Sequence, residues 1–349
     1  MQALAGVTIA DFSRVLAGPY ATMLLADLGA TVVKVERPGT GDDTRAWGPP
    51  HAAGQATYFL GLNRNKRLVS LDLGDPEAWE LASTADVVVE NFRPGTMARH
   101  GLDYESLSAV NPRLVYCSIT GFGPSSSLPG YDLLVQAVGG LMSVTGTPER
   151  PTKAGVALVD VITGLHAMAG ILAALRHVSV TGQGQLVEVS LLSSLLSALV
   201  NQSAGYVMAG VVPTALGNAH PSVAPYAVFE ARDRPLVLAV GNDKQFAALC
   251  SALDLPADPR FATNASRVAN RDSLTSAINA KLRLADAAHW FTVLNAAGVP
   301  CGPINDVAEA VSLASSVGLS PVVSIDGLSH IANPISLSRT PAVYRSNPL

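Results

Sequence analysis

Residues 155–175, GVALVDVITGLHAMAGILAAL, are apolar or small around a single carboxylate, Asp160. An unpaired carboxylate in such surroundings is costly and takes up a proton unless its charge is stabilised. Two readings fit these residues equally. In one, Asp160 is an N-cap, a position that favours Asp, and the segment after it continues as a helix. In the other it is a nucleophile. The free N–H groups and partial positive charge of a helix start would keep it ionised, and they would steady the anion formed when it attacks a carbonyl. An ionised, partly desolvated carboxylate at the mouth of a crevice suits covalent catalysis.

The second set of chemically interesting residues is cationic. Arg37 lies in ERPGTGD, Lys66 and Arg67 in NRNKR, Arg93 in ENFRPG, and Arg99 shortly after. Any one of them reads as ordinary solvated charge. Together, at successive strand ends beside Gly and Pro, they read as a site for the phosphates of a nucleotide-like ligand.

The elements that must position these groups follow from periodicity. VTIADF (7–12), TVVKVER (31–37), RLVSLDL (67–73), DVVVEN (86–91) and RLVYCSI (113–119) read as short strands. They are separated by helical stretches such as GPYATMLLADLGA (18–30) and DPEAWELASTA (75–85). Strands alternating with helices predict an α/β fold with a doubly wound, Rossmann-like parallel sheet. Ligands in such sheets bind beyond the strand C-termini, where ERPGTGD, ENFRPG and TGFG (120–123) fall. From His220 the pattern changes. YAVFEA, a charged RDR turn and PLVLAV read as a hairpin, followed by helices at 243–253, 270–285 and 286–298. The expected organisation is a large α/β domain over 1–200, joined by 330–349, a linker over 201–219, and a smaller α+β domain over 220–325.

Composition narrows the function classes. The chain has 349 residues, 48% hydrophobic and 14% charged, with a formal net charge of -4. That suits a well-buried enzyme and speaks against disorder and nucleic-acid binding. Cys117, Cys250 and Cys301 are far apart with no CxxC pair, which fits a reducing, cytoplasmic setting without structural zinc. No metal site is expected. The start MQALAGVTIADF has no signal-peptide pattern. No Asp, Glu, Lys or Arg occurs between Val189 and Phe229, but Ser, Asn, Gln and Gly break the run. It reads as a buried helix and not as a membrane span. GxGxxG, Walker A and HExxH motifs are missing, so the usual dinucleotide and metalloprotease chemistries are disfavoured.

Longer segments carry a family resemblance. DFSRVLAGPYATMLLADLGATVVKVERPGTGDDTR, LNRNKRLVSLDL, DVVVENFRPGTMARHGLDYESL, NPRLVYCSITGFG, GVALVDVITGLHAMAGILAALRH and TGQGQLVEVSLLSSL together resemble the class III CoA-transferases, a family that includes formyl-CoA transferase, carnitine CoA-transferase and α-methylacyl-CoA racemase. GNAHPSVAPYAVFEARDRPLVLAVGND and GVPCGPIND extend the likeness into the second half. The resemblance implies a CoA-transferase with Asp160 as nucleophile, working through an aspartyl-CoA thioester with coenzyme A entering as acyl-CoA substrate. It implies no permanently bound cofactor, small carboxylic acids as the other substrates, and an interlocked homodimer.

The same resemblance places CoA contacts at Leu16, Ala17, Arg37, Leu71, Asp72, Leu73, Gly74, Asn91, Phe92, Arg93 and Arg99. Phe92 reads equally as core. Asp132 matches an acidic position beside the family's site, with a structural hydrogen bond as the plain alternative. Tyr131 stands where the racemase branch has a His. A phenol is a poor proton abstractor near neutral pH, which weakens the alternative of a racemase or epimerase. His220, on the link between domains, is a candidate for the acyl pocket or a structural His, and His166 reads as core. The remaining alternative is a non-catalytic CoA-binding protein in which Asp160 only caps a helix.

Overall fold

Short runs rich in Val, Ile and Thr form the central sheet because β-branched side chains fit a pleated, two-sided buried surface. The computed structural model describes residues 1–349. Its chain folds into two units, one of residues 1–142, 153–213 and 318–349, the other of 143–152 and 214–317.

In the first unit β1 (Thr8–Asp11), β2 (Thr31–Glu36), β3 (Lys66–Ser70), β4 (Val87–Glu90) and β5 (Val115–Thr120) correspond to the five runs read from the sequence. A sixth strand, β6 (Gln185–Ser190), is one that reading does not include. All six are parallel, in the order β6-β5-β4-β1-β2-β3. The chain winds outward from β1 through β2 to β3, returns at β4, and winds the other way through β5 to β6. The switch point therefore lies between β1 and β4, where the two connections part and leave a crevice.

Helices α1 (Ala17–Asp27), α2 (Thr57–Asn63), α3 (Pro76–Thr84), α4 (Tyr104–Val110), α5 (Asp132–Val138) and α6 (Leu158–Thr181) surround this sheet. Pro19 sits in the first turn of α1, where its missing N–H is harmless. α6 ends at Gly182, whose φ of 73° suits a residue without Cβ. By length and composition α6 could cross a membrane; here it packs against α1, β5 and β6. The α1–α6 crossing is close: a Cβ on Gly164 would meet Ala17 O at 2.6 Å. Ile9, Leu24, Leu25, Val87, Val115 and Ile171 form the core between sheet and helices.

The uncharged run after Val189 is not one buried helix. It forms α7 (Leu191–Ala198) and α8 (Asn201–Ala209), separated at Val200, whose φ is 39°. α8 has no buried residue. Residues 318–349 lie on the first unit, where the Val343 N–H donates to Asp27 O at 2.8 Å.

The second unit contains a three-stranded antiparallel sheet of β7 (Tyr226–Glu230), β8 (Pro235–Ala239) and β9 (Cys301–Pro303). Helices α9 (Asp243–Leu253), α10 (Asn264–Ala269), α11 (Arg271–Leu282), α12 (Ala287–Ala296) and α13 (Val307–Ser316) complete it. Phe229, Leu236, Leu249, Ile278 and Leu294 make its own core.

Candidate active site

The loop after β1 is clamped from beneath. The fully buried carboxylate of Asp11 accepts from the Ser13 N–H at 3.0 Å, the Thr22 hydroxyl at 2.6 Å and Lys66 Nζ at 3.1 Å. Burial alone would raise its pKa, but Lys66, Lys34 and the neighbouring hydroxyls outweigh that and hold it below the ordinary carboxylate range. Lys66 is thus a buried structural cation at the start of β3, and not one of the phosphate-binding group expected from the sequence.

A second buried pair fixes the loop itself. Lys34 Nζ donates to Ser13 O at 2.8 Å and pairs with Asp42 Oδ2 at 2.8 Å, both side chains being fully enclosed. Asp42 also accepts from the Thr44 N–H at 2.9 Å and the Val15 N–H at 3.3 Å. Val15 has a φ of 69°, a left-handed conformation that a β-branched residue adopts only at the cost of strain, so the surrounding bonds must hold it there. Asn91, after β4, grips the neighbouring residue from the other side. Its Oδ1 accepts from the Arg14 N–H at 2.8 Å and its Nδ2 donates to Arg14 O at 2.7 Å. Expected as a CoA contact, Asn91 spends these side-chain bonds on the loop.

Asp160 is not the N-cap of α6. Ala157 holds that position, and Asp160 is the third helical residue. The capping comes from outside the helix. Asp132, the first residue of α5, accepts from the Val159 N–H at 2.8 Å and from the Asp160 N–H at 3.2 Å through Oδ1. Its Oδ2 accepts from Gln136 Nε2 at 2.6 Å. The N–H groups of Leu158 and Val161 are satisfied by the carbonyls of Val156 and Ala157. The first turn of α6 therefore has no free donor left for an oxyanion, contrary to the sequence-based expectation.

The Asp160 carboxyl is pushed up to about 7, first by burial and then by the charge of Asp132. Both effects work against the ionised form that the helix start was expected to favour. Tyr58, on α2, shares this environment. Burial, followed by the charges of Asp160, Asp132 and Asp42, pushes its phenol up to about 12. Trp47 packs edge-on against Tyr58 with ring centroids 5.4 Å apart. Neither aromatic was singled out from the sequence, because a Tyr in a seven-residue helix and a Trp in a loop carry no spacing signal.

Asp160 opens into a cavity of about 170 Å³ at the switch point. Leu16, Ala17, Asn91, Phe92, Arg93 and the exposed Tyr131 line it, together with Arg14. A second cavity, of about 430 Å³, is lined by Arg37, Leu71, Asp72, Leu73 and Gly74 with Phe12, Val35 and His100. Arg14 and Phe92 are common to both. Of the expected CoA contacts, all but Arg99 line these two cavities; of the expected cationic group, Arg37 and Arg93 do, whereas Lys66 is the buried cation above and Arg67 is exposed and lines neither. Arg99 is exposed too; it reaches Thr96 Oγ1 at 3.4 Å, and His100 takes the place beside the second cavity. His220 belongs to the second unit, where its Nδ1 accepts from the Ser222 N–H at 3.0 Å and its ring meets Tyr226. His166 is half-buried and bonded to Ser194 Oγ at 3.0 Å.

A doubly wound sheet with a carboxylate in a switch-point cavity, and cationic and apolar walls in it and in the cavity beside it, defines the class of α/β proteins whose ligand sites lie at the carboxyl ends of the strands. Residues 4–349 match the model of CoA-transferase family III. The chain is 43% identical to succinate–glutarate CoA-transferase of Agrobacterium fabrum, over 98% of this chain and 91% of that one. It is 41% identical to acetyl-CoA:oxalate CoA-transferase of Acetobacter aceti, over 95% and 88%. Among solved structures, a CaiB/BaiF family protein from Brucella suis superposes with a TM-score of 0.88 at 40% identity, covering 99% of this chain and 95% of its own. The chain therefore belongs to the class III CoA-transferases, which move CoA between an acyl-CoA and a carboxylate.

Proposed function

We propose that the transfer runs through covalent intermediates on Asp160, and the observation that carries this reading is the placement of that half-buried carboxylate in the switch-point cavity. An Asp160 oxygen attacks the donor thioester carbonyl, the C–S bond breaks, and a mixed anhydride and CoA thiolate result. The thiolate attacks the aspartyl carbonyl and releases the donor acid, leaving an aspartyl-CoA thioester. The acceptor carboxylate attacks that thioester, forming a second anhydride and freeing the thiolate. Thiolate attack on the acceptor carbonyl yields the new acyl-CoA and restores Asp160. Each stage divides a difficult exchange into easier acyl transfers.

Partial desolvation favours this chemistry, since a carboxylate stripped of water is a better nucleophile than a fully solvated one. With the start of α6 occupied, stabilisation of the oxyanion falls to the first turn of α1. Its N-cap, Leu16, supplies no side-chain acceptor, and Leu16 and Ala17 line the cavity with Asp160. Asp132 positions Asp160 through its backbone and tunes its charge. Relatives named for succinate, glutarate and oxalate point to small dicarboxylic acids as substrates. The exposed apolar side chains of Tyr206, Val207, Met208, Val211 and Val212 support the expected homodimer, which light scattering of the purified protein tests.

The decisive experiment is intact-protein mass spectrometry after mixing with succinyl-CoA, acetyl-CoA or a branched acyl-CoA, without acceptor. A hydroxylamine-sensitive CoA adduct on the peptide containing Asp160 is expected. Turnover without any such adduct, even under rapid quench, overturns the covalent reading.

A further inference from the structure

Arg14 lies at the junction of the two cavities, and only Phe92 shares that position. Its mounting is rigid. Both backbone polar groups are held by Asn91, and the next residue is the strained Val15. The guanidinium carbon sits 5.2 Å from the centroid of the Phe92 ring, and Nη1 donates to Asp43 at 3.2 Å. The Nε–H is different: it is buried and has no acceptor in the protein. A buried donor without an acceptor costs free energy, and an aromatic ring face replaces an oxygen acceptor poorly. The guanidinium as a whole is under-satisfied, with Asp43 as its one hydrogen-bond acceptor, and its side chain stays 31% exposed between a carbonyl-chemistry site and a larger cavity, so its outer N–H donors are placed to take a phosphate group.

We propose that Arg14 receives the pyrophosphate of the CoA substrate, the part of that ligand joining its thiol arm to its adenosine. This rests on the assignment of the two cavities to one bound CoA. Asn91 then acts as a positioning residue, aiming Arg14 through its backbone. Phe92 forms the wall against which the guanidinium stacks. Asp43 offsets the cation when the groove is empty.

The test compares binding of free CoA, dephospho-CoA and pantetheine to the full chain by calorimetry, with competition titration for the weakest ligand. Arg14→Ala and Arg14→Gln should weaken CoA and dephospho-CoA alike, by roughly 10- to 100-fold. Pantetheine, which lacks the pyrophosphate, should bind the variants and the parent equally. Arg14→Lys should recover part of the loss as a point charge without the fork. A loss confined to CoA would assign Arg14 to the 3′-phosphate and overturn the proposal. An equal loss for all three ligands, or none for CoA, would overturn it too. Turnover without the Asp160 adduct in a parent protein that binds CoA sinks the covalent mechanism alone, whereas a parent that forms the adduct but whose Arg14 variants bind CoA undiminished sinks the Arg14 assignment alone.

Discussion

The carboxylate of Asp132 accepts the backbone N–H of Asp160 at 3.2 Å, so one acidic residue holds another in place while raising the cost of ionising it. The two effects are separable by substitution. Asp132→Asn keeps an oxygen acceptor for the start of α6 but removes the charge. Its pH–rate profile should move to lower pH, with little change in melting temperature. Asp132→Ala should show the same acid shift together with a stability loss of about 1 kcal/mol, the usual worth of a helix cap.

Activity and stability should run in opposite directions with pH. The nucleophile acts as the anion, so kcat/KM should rise through a midpoint near 7. Between the ordinary carboxylate range and that midpoint the folded chain keeps a proton that the unfolded chain has released. Stability from this group therefore falls as pH rises through the window and is level above it. Chemical denaturation from about pH 5 to 8 measures the slope.

Asp160→Asn should remove that slope and leave the protein at least as stable as the parent at pH 8, because no buried charge remains. Turnover should fall on the order of 10³-fold or more. An Asn variant that retained full activity would reduce Asp160 to a structural role.

Lys34→Met leaves Asp42 charged, buried and unpaired. A loss of about 3–5 kcal/mol in unfolding free energy is expected. Adding Asp42→Leu should recover much of the stability, since apolar replacements of buried pairs are well tolerated. Activity should stay depressed, because the Ser13 carbonyl and the Val15 N–H have lost their anchors.

Gly164→Ala tests the α1–α6 crossing. The added methyl meets the Ala17 carbonyl, whose residue also lines the Asp160 cavity. Overpacking should cost about 1–3 kcal/mol. Because the displaced backbone forms the cavity wall, kcat should fall along with the melting temperature.

Much of this protein follows from its sequence alone. Short, nearly continuous β-branched runs and the helices between them dictate a parallel doubly wound sheet, since such strands bury both faces and need helical crossovers. The isolation of Asp160 within an apolar segment marks it out as either a cap or a nucleophile, because an unsupported charge is costly there. β6 escaped because Glu188 interrupts its apolar pattern, and the break at Val200 escaped because nothing local demands a positive φ in a Val.

Only the tertiary structure decided how the site is built. Whether Asp160 caps its own helix depended on a partner 28 residues away, and Asp132 took that role. Whether Lys66 faces a ligand or a buried carboxylate depended on Asp11, which lies 55 residues before it. The pKa of Asp160 depended on how much water the fold removes. Hydrogen bonds, ion pairs and desolvation act through space over a few ångströms, whereas sequence patterns report only what neighbouring residues prefer.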